Sequence, residues 1–571
     1  MTPGTALLLS LLTVAACGGG ATAAALGDGG PGEGDGAPVD AAVGRDAEAG
    51  KVGDGAVDAS AEATVGCTML VVDGGPSSKW AYVDTPGHLA YGTLPKGERL
   101  LDFSTAGYMG GGVALPVVPV QQTVKPSGGT DDTAAIQAAI DAVAKMPLTG
   151  GVRGAVLLAP GTFQLLGSLS IAASGVVLRG SGSGTGGTAL NVGGSPRMVV
   201  SIAGTGSWTE TGTAASIADA YVPSGATSVH VSSTSGLAAG TAVLVDRTIT
   251  ASWITFMGMA GMVRNGTPET WIAAGSVDHF DRTITAVSGD EVTFDAPLPD
   301  TFDVSTWGAN PPPATVRPYT FAGRIEQVGI EHLAIVAPKQ TVPINQPIFG
   351  EVHLAAVANA WVDDVASQEF TTGIVVDGTA KWVTITDSKV QRTAPIDGDA
   401  GYPFQYSVDG QMVLVSRCTS AGDDVFSYAT QDRANGPNVV LDLTASGTHT
   451  NLQPHQRWAT GLLVDGVSTP TGGISLMNRG WDGSGHGWAI GFGVTWNSTA
   501  ASFLVEQPPG SENWSIGATG TQTTSGAPGG DGGVMPQGII DSQGKAVSPE
   551  SLYLGQLCER LGPAAVKAIG Y

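Results

Sequence analysis

The sequence predicts an all-β fold, a right-handed parallel β-helix, and two observations near its start lead there. The first is a short amphipathic helix predicted over residues 132–145, where apolar residues recur at i, i+4 and i+7 behind the acidic pair Asp131 and Asp132. The second is that only short strands follow this helix. A helix followed by tightly spaced small strands is how a solenoid shields its open hydrophobic end before it coils. The apolar residues of the helix are Ile136, Ile140 and Val143.

The strands after the helix are apolar runs at residues 155–159, 163–166, 169–172 and 176–178. Turn residues separate them, among them Pro160, Gly161 and Gly167. Each strand must therefore turn almost at once, as in the rungs of a coil.

Three segments here carry a family resemblance: TDDTAAIQAAID from Thr130, VLLAPGTF from Val156 and GVVLRGSGSG from Gly175. They resemble the start of the pectate-lyase-like (pectin lyase fold) β-helix superfamily, of the rhamnogalacturonase or epimerase-like type. The resemblance implies the right-handed β-helix. It leaves the chemistry open, because that superfamily includes lyases, hydrolases, epimerases and phage tailspikes.

The N-terminal residues predict an export signal. An apolar run too short to span a bilayer ends in Val14-Ala15-Ala16-Cys17, which resembles the lipobox of bacterial lipoproteins. Residues 1–16 would be the signal peptide and Cys17 the lipidated residue, so the protein is expected at the outer membrane or cell surface. A plain secretory signal is the alternative. Residues 17–66 are rich in Gly, Ala and acidic residues and predict a disordered tether.

The remaining chain divides into four parts. Residues 67–206 are predicted to form the N-terminal segment and the first rungs. Residues 207–320 have strands with a different spacing and are predicted to form a β-rich insertion. Its apolar segment WITFMGMAGM, from Trp253, is either insertion core or a wall over a groove. Residues 321–520 repeat apolar segments every 20 to 30 residues or so, the period of β-helix rungs. Residues 521–571 are a C-terminal loop and helix.

The C-terminal helix is predicted to open at Ser548 as N-cap with Pro549 at the first position and to stop at Gly562. Such a helix would plug the far end of the coil. Three cysteines follow Cys17, and they leave two possibilities open: one bridge between the two terminal positions, or unpaired thiols. The three are Cys67, Cys418 and Cys558.

The densest candidate for a functional site lies between Leu452 and Gly517, which holds five of the twelve tryptophans. Indole faces suit sugar rings, and Arg and His supply charge and proton transfer. The alternative is that the tryptophans pack loops onto the coil. The predicted substrate-binding residues are Trp458, Asn478, Trp481, Asp482, Trp488, Trp496 and Trp514.

Two chemistries fit this region, and elimination is the first. It needs a cation against a uronate carboxylate, a base for the C5 proton and an acid at the leaving oxygen. Arg457 or Arg479 would be the cation, and His455 and His486 the base and acid. Stacked rungs are expected to bring these groups side by side.

Hydrolysis is the second chemistry, and it needs two carboxyl groups. Asp423 and Asp424 resemble the paired aspartates of polygalacturonase-type glycoside hydrolases, and Gly485-His486-Gly487 resembles their Gly-His-Gly. The spacing between the two motifs departs from that family.

A calcium ion is a possible cofactor, since pectate-lyase relatives often hold substrate carboxylates through calcium; no site for another metal is predicted, because neither CxxC nor HExxH occurs. The candidate calcium ligands are Asp363, Asp364, Asp387, Asp397, Asp399, Asp409, Asp423, Asp424 and Asp442.

These observations predict a carbohydrate-active surface enzyme that cleaves a uronate-containing polysaccharide, with β-elimination first and hydrolysis second. A non-catalytic glycan-binding β-helix or adhesin is the third possibility. The net charge of −24 excludes nucleic acid as an expected partner. Contact with a membrane is expected only through the lipid anchor, and the sequence does not distinguish a monomer from a homotrimer.

Overall fold

The computed structural model describes residue 67 and residues 75–85, 87–307, 314–395, 397, 401–526 and 534–571. The predictions for the signal peptide, Cys17, the tether and Asp399 lie outside these residues. A 28-stranded parallel sheet winds through the chain. Each strand pairs with the one a full turn later, so the fold is the predicted right-handed parallel β-helix. No helix in the described part is long and apolar enough to cross a membrane.

The elements before the insertion are an N-terminal hairpin, the predicted helix and the first rungs. The hairpin is β1 (Ala81–Val83) and β2 (Leu89–Tyr91), followed by a short 3₁₀ turn at Tyr108–Gly110 and by helix α1 (Thr133–Ala144). The strands of the first rungs are β3 (Val120–Val124), β4 (Gly154–Leu158), β5 (Gly161–Leu165), β6 (Leu169–Ile171), β7 (Val176–Arg179), β8 (Thr188–Val192) and β9 (Met198–Ala203).

Helix α1 buries the predicted face, Ile136, Ile140 and Val143, against the first rungs. Its cap residues, Asp132 and Lys145, are the predicted ends of the helix. Asp131 accepts the hydrogen bond from Thr133 N, while Asp132 accepts from the backbone of Ser127 and Gln164 and so ties the helix to β5.

The insertion interrupts the coil after β9. It contains helices α2 (Ala251–Phe256) and α3 (Val304–Trp307). Its antiparallel strands are β10 (Thr209–Glu210), β11 (Ala215–Ser216), β12 (Tyr221–Val222), β13 (Ser228–His230), β14 (Ala242–Thr248), β15 (Val263–Arg264), β16 (Thr267–Pro268), β17 (Val277–Ser288), β18 (Glu291–Phe294), β19 (Phe302–Asp303) and β20 (Ala314–Thr320).

The segment from Trp253 to Met262 contributes to the insertion core, the first of its two predicted roles. Trp253 and Met257 are buried in this core, which also contains Trp458 and Trp488 of the coil. Met262, the last residue of the segment, and Val263 line a cavity between the insertion and the coil. The insertion is therefore docked on the coil through shared apolar packing.

The coil then resumes with long, mostly buried strands. They are β21 (Ile325–Val336), β22 (Gly350–Ala355), β23 (Val357–Gln368), β24 (Thr372–Val376), β25 (Lys381–Thr386), β26 (Lys389–Gln391), β27 (Phe404–Val408), β28 (Leu414–Ser416), β29 (Thr419–Ala421), β30 (Phe426–Ala429), β31 (Asn435–Leu441), β32 (Thr444–Ser446), β33 (Asn451–Leu452), β34 (Ala459–Asp465), β35 (Ser468–Leu476), β36 (Ile490–Gly491), β37 (Val494–Trp496), β38 (Thr499–Val505), β39 (Trp514–Ile516), β40 (Thr519–Thr523) and β41 (Ile539–Asp541).

Alternation along these strands builds two apolar surfaces. Val415, Val440 and Val464 stack in register inside the coil, because neighbouring side chains of a strand point to opposite faces. The outer face of the same strands is also apolar. It carries Leu414, Val439, Leu463, Val494 and Trp514 and is covered by the N-terminal segment and the C-terminal helix.

The structure corrects two predictions about the C-terminal helix. The C-terminal helices are α5 (Leu552–Leu561) and α6 (Pro563–Ala568), and helix α4, a single turn at Asp482–Gly485, precedes them in the chain. Ser551, and not Ser548, caps α5 by accepting from Leu554 N, whereas α5 ends before Gly562 as predicted. The helix does not plug the end of the coil but lies on its outer face, because that face is apolar and would otherwise meet water.

A disulfide joins Cys67 to Cys558 and so links the N-terminal segment to α5, the terminal bridge that the sequence left open. Cys418 is a free, buried thiol inside the coil.

Asp465 anchors α5 and makes a pH-dependent contribution to stability. Its carboxylate accepts from Ser551 Oγ at 2.7 Å and Tyr553 N at 2.8 Å, and burial raises its pKa to about 7. The folded protein therefore keeps this proton up to about pH 7, while the unfolded chain loses it near pH 3.9, so stability falls as pH rises between these values. Asp465→Asn should remove this loss, and its melting temperature relative to the wild type should be higher at pH 7.5 than at pH 4.5. An equal difference at both pH values, as expected for the exposed control Asp290→Asn, would contradict the assignment.

Candidate functional site

The insertion leaves the coil at one corner, and the turns of later rungs line up at this same corner. Strands β9, β22, β24, β27 and β30 pair in sequence, and the insertion follows β9. We call these aligned turns the insertion corner. It comprises residues 377–380, 409–413, 430–434, 453–458, 477–489 and 506–513.

The insertion corner brings together four residues predicted for elimination. The rings of His455 and His486 have centroids 4.5 Å apart, although the two residues belong to successive rungs. Arg479 donates to the backbone oxygen of His455 at 3.0 Å. Arg457 donates to Ser484 Oγ at 2.9 Å and to the backbone oxygen of Trp271, in the insertion, at 2.8 Å.

Both histidines are held neutral. Burial, followed by the charges of Arg479 and Arg457, lowers the pKa of His455 to about 3, and burial with the same arginines lowers that of His486 to about 3. His455 Nδ1 lies 3.2 Å from Gln431 Oε1, and we assign the ring proton to Nδ1 because this oxygen accepts; the assignment leaves Nε2 with the free lone pair. His486 Nδ1 is buried and has no hydrogen-bond partner among the described residues.

Carboxyl groups precede this cluster along the same corner. Asp377, Asp409 and Asp432 line a cavity of about 210 Å³ together with Trp208 and Arg433. Burial raises the pKa of Asp409 to about 7, against hydrogen bonds from the backbone of Gln431 and Asp432. Burial also raises the pKa of Asp432, opposed by Arg433 and Arg457.

Sequence reasoning missed Asp432 and Gln431 and considered Asp409 only as a calcium ligand. A signal was present: Asp377 and Asp409 each directly follow the last residue of an apolar strand, Val376 and Val408. Aligning the ends of the apolar runs would have placed both carboxylates at one corner.

The prediction that tryptophans bind the sugar is wrong for four of the five residues. Trp458, Trp488, Trp496 and Trp514 are buried, so no sugar can stack on them in this structure. The reason is that large apolar surface is needed where the insertion and the terminal segments pack on the coil: Trp458 and Trp488 join the insertion core, and Trp496 and Trp514 the covered outer face. Trp481 differs, with 36% of its surface exposed.

The two polar residues predicted to bind substrate lie beside the cluster. Asn478 is buried, and its Oδ1 accepts from Gly480 N at 2.8 Å. Asp482 lies 3.7 Å from Arg479, from carboxylate oxygen to Nε.

Asp423 and Asp424 do not belong to this site. They lie in the turn between β29 and β30, at a different corner, where they line a cavity of about 510 Å³. Asp423 accepts from Thr448 N at 2.7 Å, and Asp424 lies 3.0 Å from His449 Nδ1. The paired-aspartate resemblance is therefore not matched by proximity to His486, because the two motifs sit in turns on different sides of the rungs.

The calcium candidates do not form one ligand set. Asp387 is paired with Arg417, Asp424 with His449 and Asp409 with backbone N–H groups. Among the described residues, the metal-type cluster of three or more is Glu331, His332 and Asp363. Glu331 already accepts from Arg179 and Trp361, and a mixed histidine and carboxylate set suits transition metals better than calcium. These residues do not fit a calcium ion.

A larger cavity, of about 760 Å³, opens beyond the cluster, between the insertion and residues 478–488. Asn478 bridges to Trp488 in a tight antiparallel hairpin, with Arg479 N donating to Gly487 O at 2.8 Å. Asn478, Gly480 and Trp481 of this hairpin line the cavity, and the same hairpin carries Arg479 and His486. The cavity and the cluster are thus separated by one hairpin.

No family model matches the sequence, and no curated protein matches it. Solved structures do match. One is the tailspike protein gp49 from Pseudomonas phage LKA1, with 15% identity, coverage of 73% of this chain and 72% of that chain, and a TM-score of 0.33.

A second is the Azotobacter vinelandii mannuronan C-5 epimerase AlgE6 A-module, with 13% identity, coverage of 74% of each chain and a TM-score of 0.31. A third is the tailspike of E. coli bacteriophage HK620 in complex with a pentasaccharide, with 10% identity, coverage of 70% and 55%, and a TM-score of 0.34. Similarity at this level carries no argument about activity, so function is inferred below from this chain's own residues.

Proposed function

We propose that the protein binds an acidic polysaccharide along the insertion corner and cleaves it by β-elimination. One observation carries the proposal: two neutral histidines lie side by side, flanked by two arginines for which the described residues provide no fully buried carboxylate partner. Two arginine cations beside two neutral histidines favour the binding of a substrate that carries a negative charge. A uronate carboxylate is such a charge.

The roles follow from the geometry. The carboxylate of the uronate lies against Arg457 and Arg479, which stabilise the charge that develops when C5 loses its proton. His455 Nε2 takes that proton, the C5–H electrons form the C4–C5 double bond, and the C4–O bond breaks. The departing oxygen takes a proton from the imidazolium that His455 has become, while the neutral His486 ring donates a hydrogen bond to that oxygen. The substrate carboxylate also offsets the arginine charges that lower the pKa of both histidines, which strengthens the base once substrate is bound.

The test is an incubation of the purified protein with a panel of uronate-containing and neutral polysaccharides, followed by ultraviolet absorbance of unsaturated uronates and by a reducing-end assay. Elimination gives both signals together. Reducing ends without absorbance would replace elimination by hydrolysis. Binding without either signal would leave a glycan-binding protein.

The hydrolytic alternative has an observation of its own. Asp409, with its pKa raised to about 7, suits a general acid, and Asp432 of the next rung lines the same cavity as a second carboxyl group. If the assay reports hydrolysis, Asp409→Asn is the variant that should abolish it, in place of the aspartates predicted from the sequence.

We also propose that the protein is exported and anchored through Cys17. The disulfide between Cys67 and Cys558 supports export, because such bonds persist in oxidising compartments. The intact mass of the N-terminal peptide tests the lipid on Cys17.

A further inference from the structure

The large cavity beside residues 478–488 has a wall unlike that of a sugar-binding site. Four of the eleven methionines line it: Met257, Met259, Met262 and Met535. Pro508, Pro509 and Pro536 continue the same surface. These side chains offer contact area to an apolar group.

The amide side chains of this wall are engaged in part. Asn478 and Gln507 are the residues with amide side chains that line it. Asn478 Oδ1 accepts from Gly480 N, and Gln507 Nε2 donates to Glu512 Oε2 at 3.0 Å. The other atoms of the two amides, Asn478 Nδ2 and Gln507 Oε1, have no hydrogen-bond partner among the described residues.

The cavity is nevertheless accessible and connected to the candidate active site. Val263 has 45% and Trp481 has 36% of its surface exposed at the cavity, so the wall meets solvent. Trp481 precedes the turn that carries His486, and Arg479 lies two residues before Trp481. A polymer held at the histidines passes within one hairpin of this apolar wall.

We infer that the cavity receives an acyl ester carried by the polymer, so that the substrate class is an O-acetylated or otherwise O-acylated acidic polysaccharide. This inference rests on the proposed function for the position of the polymer. The ester methyl or alkyl group packs against Met262, Val263 and the neighbouring methionines, while the ring to which it is attached stays at the rim beside Trp481.

The test compares an O-acetylated uronate polysaccharide with the same preparation after mild alkaline removal of its esters. The full chain should cleave the acetylated polymer with about tenfold higher kcat/KM, the usual order for one small apolar group in a fitted pocket. Calorimetric titration of both polymers should show the same preference in affinity. Met262→Asp, at a partly exposed position, should remove the preference, so that the two polymers are cleaved with equal kcat/KM.

The matched control is Val117→Asp, whose side chain is 92% exposed away from the cavity and which should keep the preference. Equal affinity and equal cleavage of the two polymers would overturn the inference while leaving the elimination proposal intact, as would a preference that survives Met262→Asp. A binding preference without any unsaturated product would support the inference and overturn the elimination proposal. No binding of either polymer would overturn both.

Discussion

Replacement of Asp281 by alanine is expected to lower the free energy of unfolding by about 3–5 kcal/mol, because it removes the carboxylate closest to two buried cations. Asp281 belongs to the insertion, and its side chain is 1% exposed. It lies 2.9 Å from Lys381 Nζ and 3.0 Å from Arg324 Nη1, both of the coil. Tyr319 donates to the same carboxylate at 2.8 Å.

Urea unfolding followed by tryptophan fluorescence measures this change. The lysine and the arginine hold the pKa of Asp281 below its ordinary value despite burial, so the group stays charged at every pH of practical use. Asp290→Ala, at an exposed turn of the same insertion, should change stability by less than about 0.5 kcal/mol. A loss as small as this in Asp281→Ala would show that the ion cluster does not hold the insertion on the coil.

Replacement of His455 by glutamine is expected to lower kcat by about 100- to 10,000-fold, since glutamine cannot accept the C5 proton. Arg479→Gln should lower kcat by about 100- to 1,000-fold through loss of charge stabilisation. Binding of the polymer should persist in the His455 variant, because the apolar cavity and Arg457 remain. Initial rates from the absorbance assay and calorimetric affinity measure the two quantities separately.

His449→Gln is the matched control for His455. Its side chain is 81% exposed, and it pairs with Asp424 at another corner of the coil, so its turnover should equal that of the wild type. Loss of turnover in both variants, or in neither, would falsify the assignment of His455 as base. A thermal melt of each variant separates loss of chemistry from loss of fold.

The pH dependence gives an independent check on the same histidines. A histidine with a pKa of about 3 is neutral throughout the range from pH 5 to 8, whereas an ordinary one is half protonated near pH 6.5. We therefore expect kcat/KM, which reports the free enzyme, to stay flat from pH 8 down to pH 5. A fall centred near pH 6.5 would show that the base is an exposed histidine.

The sequence predicted those parts of the fold that depend on local pattern. The spacing of Ile136, Ile140 and Val143 predicted helix α1, and the short apolar runs after it predicted the first rungs. The proximity of His455 and His486 also followed from repetition, because residues one rung apart in a stacked coil come to lie side by side.

The sequence did not predict which residues are covered by segments that are distant in the chain. Trp458 and Trp496 share the composition expected of a sugar platform, yet both are buried by segments distant in the sequence: the insertion covers Trp458, and the C-terminal region covers Trp496. Asp423 and Asp409 likewise follow similar strands, but one turn faces away from the insertion and the other lies beneath it.

The sequence by itself thus determined the coil, its helical start, the inserted β-segment and the residue types available for chemistry, because periodicity and turn residues act over a few neighbours. Tertiary structure decided which turns share the insertion corner, which faces of the coil are covered and which charges are buried. Those outcomes depend on where the insertion, the N-terminal segment and helix α5 pack. The insertion and the N-terminal segment cover residues one hundred or more positions away in the chain, and helix α5 covers residues several tens of positions away. Exposure and pKa follow from that packing, and with them the groups that can react.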